Sequence, residues 1–497
     1  MRASGILMPI SSLPSPYGIG CFSREAYAFV DWLAQAGQTF WQILPLGPTG
    51  FGDSPYQSFS TFAGNPYFLD LDALAEEGLL TSAECAGADW GDDPARVAYD
   101  KLYQSRYPLL RRAFHRWRGA DEPDYRTFLS ENRDWLEDYA LFMALKNARN
   151  GASWDTWEDE LRLRDPRALE RARGELAEER AFQCFLQYEF DRQWGALKRY
   201  ANGKGIRIIG DIPIYVAFDS SDTWANPELF QLDGDRRPTG VSGVPQDGFS
   251  ATGQLWGNPL YDWDYHRATG FAWWIARLAH CYRRYDVVRI DHFRGFDEYF
   301  AIPYGAENAL SGVWKPGPGS ALFDAVRAAL GEKPVIAEDL GYLTDSVRRL
   351  VQACGFPGMK VLEFAFDSRD SSGAAEYFPY NYTPNCVVYT GTHDNETVEG
   401  WYETILPEER ALVREYLGRP EGTAQPLHWD FIRAAMSSVA KWCVVPMQDY
   451  LGLDNRARMN QPSTVGKNWR WRASPADFSP ELAGRIRRMT VCYGRMP

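Results

Sequence analysis

An α/β fold, a (β/α)8 TIM barrel with helical and loop insertions, is predicted by three features of this sequence. Apolar, β-branched runs end abruptly in carboxylates at VVRIDHFRG (287–295), VIAEDLG (335–341) and VVYTGTHDN (387–395). Helix-length segments closed by glycine separate such runs. Eight strand candidates can be counted along the chain, the number that closes this kind of barrel. A strand hidden on both faces cannot hold an unpaired carboxylate in its middle, because burying a charge is costly. At its C-terminal end it can. Successive ends of this kind, joined by helical crossovers, describe the catalytic face of a parallel barrel.

The first strand is expected at 5–10, in GILMPI. A helix follows from about Arg24, with Ala26, Phe29, Val30 and Leu33 at helical spacing and Gly37 at the C′ position. Strand two is expected at 39–46 and strand three at 206–216. The intervening stretch is too long for one crossover, so 47–200 reads as a mostly helical insertion. Its 158–200 portion mixes Glu, Arg and Leu at helical spacing, with the charges forming a solvated face. A second insertion, 217–270, is rich in Gly, Pro, Asp and Trp and reads as a lid-like segment after strand three.

The fourth strand is expected at 287–291. Ser320 is the expected N-cap of ALFDAVRAAL, which Gly331 closes before strand five at 334–338. Thr344 and Asp345 open the next helix, Gly355 closes it, and strand six is expected at 359–366. Strands seven and eight follow at 386–391 and 443–449. The remaining residues hold a loop, RMNQPSTVGKNWRW, and a helix from about Ser474 to Arg488, leaving no room for a separate C-terminal β-domain. The chain is therefore read as one catalytic barrel over 1–497.

Composition narrows the partners. A net charge of −13 opposes binding of nucleic acid, whose phosphates need a basic face. No apolar run approaches the ~18 residues that cross a bilayer. The N-terminus, with its short apolar stretch broken by Pro9, does not read as a signal peptide. The eight cysteines form no CxxC pair, and several lie inside apolar segments. They are expected to be reduced thiols of a cytoplasmic protein. Aromatic residues make up 15% of the chain, which suits a cleft where rings stack on sugar faces, although a large core also uses such residues.

The three strand-end carboxylates, Asp291, Glu338 and Asp394, are expected to share one cleft. Each could alone be an ion-paired strand terminus. Three together, without a dedicated metal-ligand motif, suggest glycosyl chemistry, which needs a proton donor and a negative partner for an oxocarbenium-like transition state. Arg289 lies two residues before Asp291, on the same side of the strand, and is expected to keep that carboxylate ionised as a nucleophile suits. Glu338 follows Ile336 and Ala337 and adjoins Asp339. Apolar surroundings and a like charge would raise its pKa toward that of a general acid. Two of only six histidines, His292 and His393, adjoin candidate catalytic aspartates and are assigned to sugar hydroxyls; core histidines are the alternative. No HExxH or GxxxxGK[ST] motif occurs, and GIG at 18–20 lacks the third glycine of a dinucleotide fingerprint.

With these residues stand further motifs: SSLPSPYGIG near the start, GDSPYQS at 52–58, GDIPIYV at 210–216, GQLWGNPLYDW at 253–263 and RMNQPST. In their order and density they resemble the amylomaltases, the 4-α-glucanotransferases (disproportionating enzymes) of glycoside hydrolase family 77 in the α-amylase clan. The resemblance is weakest across about 75–185. It implies Asp291 as nucleophile, Glu338 as acid/base and Asp394 as the carboxylate that grips the 2- and 3-hydroxyls of the sugar. It also implies substrate contacts at Tyr56, Asp211, Asp247, Gln254, Trp256, Arg289, His292, Phe364, His393 and Asn460. The implied reaction is retaining, needs no metal or cofactor, and moves α-1,4-glucan segments between maltooligosaccharides. One segment departs from the family: GVPQDGFS at 243–250 stands where GVPPDYFS is common, so Gln246 replaces a proline and Gly248 an aromatic. Two other readings are a retaining hydrolase of the same clan, which usually carries a C-terminal β-domain, and a non-catalytic glucan-binding barrel, which would lack one of the three carboxylates.

Overall fold

A computed structural model describes residues 2–246, 250–341, 343–368, 374–420, 422–423 and 426–496. Twelve strands occur among them. In chain order they are β1 (Ala3–Leu7), β2 (Phe40–Gln42), β3 (Arg207–Pro213), β4 (Gly240–Val244), β5 (Gln254–Pro259) and β6 (Val287–Asp291). There follow β7 (Glu298–Pro303), β8 (Val313–Pro316), β9 (Val335–Ala337), β10 (Gly358–Val361), β11 (Cys386–Tyr389) and β12 (Trp442–Pro446).

Eight of these close a parallel barrel in the order β1-β12-β11-β10-β9-β6-β3-β2. They are the eight strands expected from the sequence, but most are shorter. The apolar runs continue past the last ladder hydrogen bond: 359–366 is strand only to Val361 and then a 3-10 turn, Leu362–Phe366. Likewise 443–449 turns at Met447 into a short helix, Met447–Leu451. Periodicity marks burial, and burial outlasts pairing where the chain leaves the barrel.

The barrel wall is apolar because helices cover it outside and side chains fill it inside. Ile208, Ile209, Val287, Val288, Ile290, Ile336, Val387, Val388, Val444 and Val445 are all fully buried. Gly210 in β3 is required by a close approach. A Cβ there would lie 2.2 Å from the ring of Tyr285.

Helix signals held in most places. The first helix, Arg24–Gln35, buries Ala26, Phe29, Val30, Trp32 and Leu33, and Gly37 takes φ +69° beyond its end. Thr344 caps Asp345–Cys354 by accepting from the Val347 N–H, and Gly355 closes it in the left-handed region. Ser320 is a correction. The cap position belongs to Gly319 at φ +62°, and Ser320 is already the first helical residue.

Between β2 and β3 the chain forms a run of helices, the last of them the long Ala177–Gly203. Their own apolar cluster includes Leu136, Phe142, Trp154 and Trp157 and reaches Trp224. The 217–270 stretch held a surprise. It contributes β4 and β5 to an antiparallel sheet ordered β5-β4-β7-β8, whose other strands come from 298–316. Short, glycine-bearing strands such as GVSGV carry too few side chains to show an alternating pattern. After β12 no strand follows among the described residues. The last helix, Pro480–Cys492, packs beside the first, with the Trp32 indole donating to the Ser479 carbonyl.

Candidate active site

All three predicted carboxylates stand at the C-terminal edge of the barrel. Asp291 is the last residue of β6, Glu338 follows β9, and Asp394 lies five residues beyond β11. Immediately after Asp291 the chain reverses. His292 takes φ +51° and ψ +49°, a left-handed conformation rare for a residue with a side chain. That turn aims the His292 N–H at Glu338 Oε2, 2.7 Å away, while the Leu340 N–H donates to Oε1 at 2.8 Å. The carboxyl of Glu338 is thus held at both oxygens by backbone.

Asp211 and Arg289 are register partners on β3 and β6. Arg289 Nη1 donates to both oxygens of Asp211, at 2.8 and 2.7 Å, and to Asp291 Oδ1 at 3.1 Å. The Tyr56 hydroxyl donates to Asp211 Oδ2 at 2.9 Å. Asp211, implied as a substrate contact, is fully buried and its oxygens are engaged by Arg289 and Tyr56. Its geometry is that of a residue holding Arg289, which in turn holds Asp291. Removing one partner of such a buried pair leaves an uncompensated charge. Asp211→Ala is therefore expected to lower unfolding stability by about 3–5 kcal/mol, measured in denaturant.

Around Asp394 the links are equally direct. Asn460 Nδ2 donates to its Oδ1 at 2.6 Å, and His393 Nε2 stands 3.4 Å from the same oxygen. The His393 ring stacks on Tyr56, with centroids 5.1 Å apart and planes at 17°. Trp256 meets the His292 ring edge-on at 4.8 Å, and its indole N–H donates to Gln254 Oε1 at 3.1 Å. Phe364 packs edge-on against Tyr377, whose hydroxyl lies in the field of Asp339 and Glu338. Tyr56, Gln254, Trp256, His292, Phe364 and Asn460 keep partial exposure, whereas Arg289 and His393 are buried beneath them. Asp247 and Gly248 lie outside the described residues.

Burial dominates the electrostatics. It raises Glu338 to about 7, with the Asp291 charge adding to the effect and Arg289 opposing it. Burial also raises Asp291 to about 6 against the pull of Arg289. The guanidinium acts in the direction expected from the sequence, but desolvation outweighs it. Both carboxyls are thus raised by burial, and for Glu338 the Asp291 charge pushes the same way. Burial likewise drives His292 down to about 3, so the imidazole is neutral, and its Nε2 has no hydrogen-bond partner among the described residues. A buried polar atom left open in a cleft is a place for a ligand hydroxyl or water.

Sequence reasoning missed several neighbours. Arg458 Nη2 donates to the Asp394 carbonyl at 2.7 Å, Trp469 packs against Tyr56 and His393, and Tyr215 lies beside Trp256. Arg458 opens RMNQPST and Tyr215 belongs to GDIPIYV, the motifs that also hold Asn460 and Asp211, so motif membership was the signal for them.

Comparison with known proteins bears on family and fold. The model of glycoside hydrolase family 77, 4-alpha-glucanotransferase, matches residues 8–477. A 4-alpha-glucanotransferase of Clostridium butyricum is 49% identical over 98% of this chain and 100% of its own. One from Thermus thermophilus is 48% identical over 100% of this chain and 99% of its own. Among solved structures, the amylomaltase from Streptococcus agalactiae in complex with acarbose is 43% identical, with a TM-score of 0.96 over the whole of both chains. The amylomaltase from Corynebacterium glutamicum, 20% identical, shares the fold with a TM-score of 0.77 over 100% of this chain and 75% of that one. With the family model spanning nearly the full length and close relatives matching end to end, this chain belongs to glycoside hydrolase family 77, the 4-alpha-glucanotransferases.

Proposed function

We propose that the protein transfers α-1,4-glucan segments from a donor maltooligosaccharide to the 4-hydroxyl of an acceptor, with glucose released in disproportionation. The observation that carries this reading is the arrangement of Asp291 and Glu338: two half-buried carboxyls at neighbouring strand ends, one braced by Arg289 and the other by two backbone N–H groups. In the first step an Asp291 oxygen attacks the anomeric carbon, the glycosidic C–O bond breaks, and Glu338 gives its proton to the leaving oxygen. In the second, Glu338 takes the proton of the acceptor hydroxyl, whose oxygen displaces Asp291. Two inversions give retention. Asp394, with Asn460 and His393 around it, is assigned to the sugar's 2- and 3-hydroxyls. Tyr56, Gln254, Trp256, Arg289, His292, Phe364 and Asp247 are assigned to the remaining substrate contacts.

Incubation with maltotriose tests the reaction class. Longer maltodextrins together with glucose mean transfer; maltose and glucose alone would mean that the protein hydrolyses instead. The pH profile should be bell-shaped, with the rate falling below about 6 as Asp291 gains a proton and above about 7 as Glu338 loses its own. A flat profile across that window would oppose these roles.

Transfer requires more than the carboxyl pair. Water at roughly 55 M competes with a millimolar acceptor, so transfer must be favoured ~10⁴-fold per encounter, about 5.5 kcal/mol. Sugar contacts on the acceptor side and exclusion of water must supply it. Trp256, on β5 and packed against His292, is placed to contribute. Trp256→Ala is expected to shift products from maltotriose toward new reducing ends. An unchanged ratio would place the acceptor contacts elsewhere.

No metal is assigned a role. Treatment with a strong chelator followed by desalting should leave the transfer rate unchanged, and a loss restored by calcium would reveal a site among the carboxylates. All eight cysteines are unpaired thiols, which supports placing the protein in a reducing compartment such as the cytoplasm. Among the described residues no helix is long and apolar enough to cross a membrane.

A further inference from the structure

Strand eight was expected to run to Asp449, a carboxylate that the proposed chemistry leaves without a task. It lies in the short helix after β12 and is almost fully buried. Its two oxygens reach two points of one neighbouring segment. Oδ2 accepts from the Thr390 hydroxyl at 2.6 Å, and Oδ1 accepts from the Val398 N–H at 2.9 Å. Between these two anchors runs the loop that leaves β11 and carries His393 and Asp394.

The loop is also fastened from within and from the side. Asn395 Oδ1 accepts from both the backbone N–H and the hydroxyl of Thr392, at 2.9 and 2.7 Å. Asn455 receives the Thr397 N–H at 3.3 Å and donates to Glu396 at 2.5 Å. Gly391 has no room for a side chain, since a Cβ would stand 2.8 Å from Glu363 Oε1. Glu363 itself is buried, and burial together with the charges of Asp449 and Glu396 pushes its carboxyl up toward the neutral form. Asp449 is the element of this set that spans both ends of the loop.

We propose that Asp449 is a positioning residue for the reaction: by tying Thr390 to Val398 it fixes the loop that presents Asp394 and His393 to the sugar. This rests on the transfer reading, in which Asp394 contacts the substrate. The physical warrant is that a misplacement of about 1 Å at a group engaging the transition state can cost about 100-fold in rate. An ordinary buried carboxylate with only a structural role would, on removal, lower stability without selecting one kinetic constant.

The test is a double-mutant cycle on maltotriose turnover, with kcat and KM measured for wild type, Asp449→Ala, Asp394→Asn and the pair, and with folding checked by thermal unfolding. Asp449→Ala is expected to lower kcat about 10- to 100-fold with KM changed no more than about twofold. In the Asp394→Asn background the further loss should shrink to about twofold, because the two residues act as a unit. Should Asp449→Ala fail to fold, Thr390→Val removes one anchor with little change of shape. It is expected to lower kcat about threefold or more, again only while Asp394 is present. Losses that multiply independently, or a rise in KM alone, would overturn the positioning role. Wild-type products limited to maltose and glucose would instead refute the transfer reading, and the same cycle would then be read on hydrolysis.

Discussion

Asp291→Asn is expected to lower maltotriose turnover by about 10⁴-fold or more, a loss of ~5.4 kcal/mol in transition-state stabilisation. The amide keeps the size of the carboxylate and its contact with Arg289 but cannot form the glycosyl ester. Glu338→Gln is expected to lose a similar factor by a different route, because the leaving oxygen then departs without a proton. The two can be told apart. A glycosyl fluoride needs no protonation to leave, so the Glu338→Gln variant should still be glycosylated by it and accumulate an adduct on Asp291, visible as a mass increase. Asp291→Asn should form none. An adduct on any other residue would overturn the assignment of nucleophile. Stability should move the opposite way. Burial raises Glu338 from its ordinary 4.5 to about 7, so the folded state binds this proton more tightly than the unfolded chain. Its contribution therefore falls as pH rises from about 4.5 to about 7 and stays low above. Glu338→Gln has no proton to lose, although its amide NH2 must face one of the two backbone N–H donors, so its thermal midpoint should gain on that of wild type as pH rises from about 4.5 to about 7.

The second large effect concerns Asp394. Asp394→Asn is expected to lower kcat about 10²- to 10³-fold, in the range seen when one preorganised group facing developing charge is removed. Binding of maltooligosaccharide, measured by calorimetry, should change far less. The reason is that, in the role proposed for it, its contacts with the sugar's hydroxyls would strengthen as the ring distorts and positive charge builds at the anomeric carbon. The side chain is already aimed by Asn460 at 2.6 Å and its backbone carbonyl is held by Arg458 at 2.7 Å, so the amide variant should keep its position. Wild-type turnover in Asp394→Asn would make it a structural carboxylate, and the positioning role of Asp449 would fall with it.

What the linear sequence determined here follows from local patterns. A run such as VVRID must be hidden on both faces, and its terminal Asp can be accommodated only where the strand emerges. That rule pointed to Asp291, Glu338 and Asp394, apolar runs between helix-length segments marked the barrel's eight strands, and Gly37, Gly331 and Gly355 marked helix ends because each takes a positive φ. The motif resemblance added the family and the proposed substrate contacts. The tertiary structure decided whatever depends on partners remote in the chain. The sheet of β4, β5, β7 and β8 joins strands whose burial does not alternate along the chain. Gly319 took the cap expected at Ser320. Asp211 turned inward to Arg289 because β3 and β6 pair in one register, which no spacing within either strand reveals. Asp291 is raised rather than lowered, because desolvation at the barrel mouth is a property of the whole enclosure and a neighbouring guanidinium only offsets it. Asp449 shows its two bonds to the Asp394 loop only when β11 and β12 lie side by side. Hydrophobic period and backbone preference act over a few residues and are written in order along the chain, whereas hydrogen-bond partners and dielectric surroundings are set by which distant segments the barrel closure brings together.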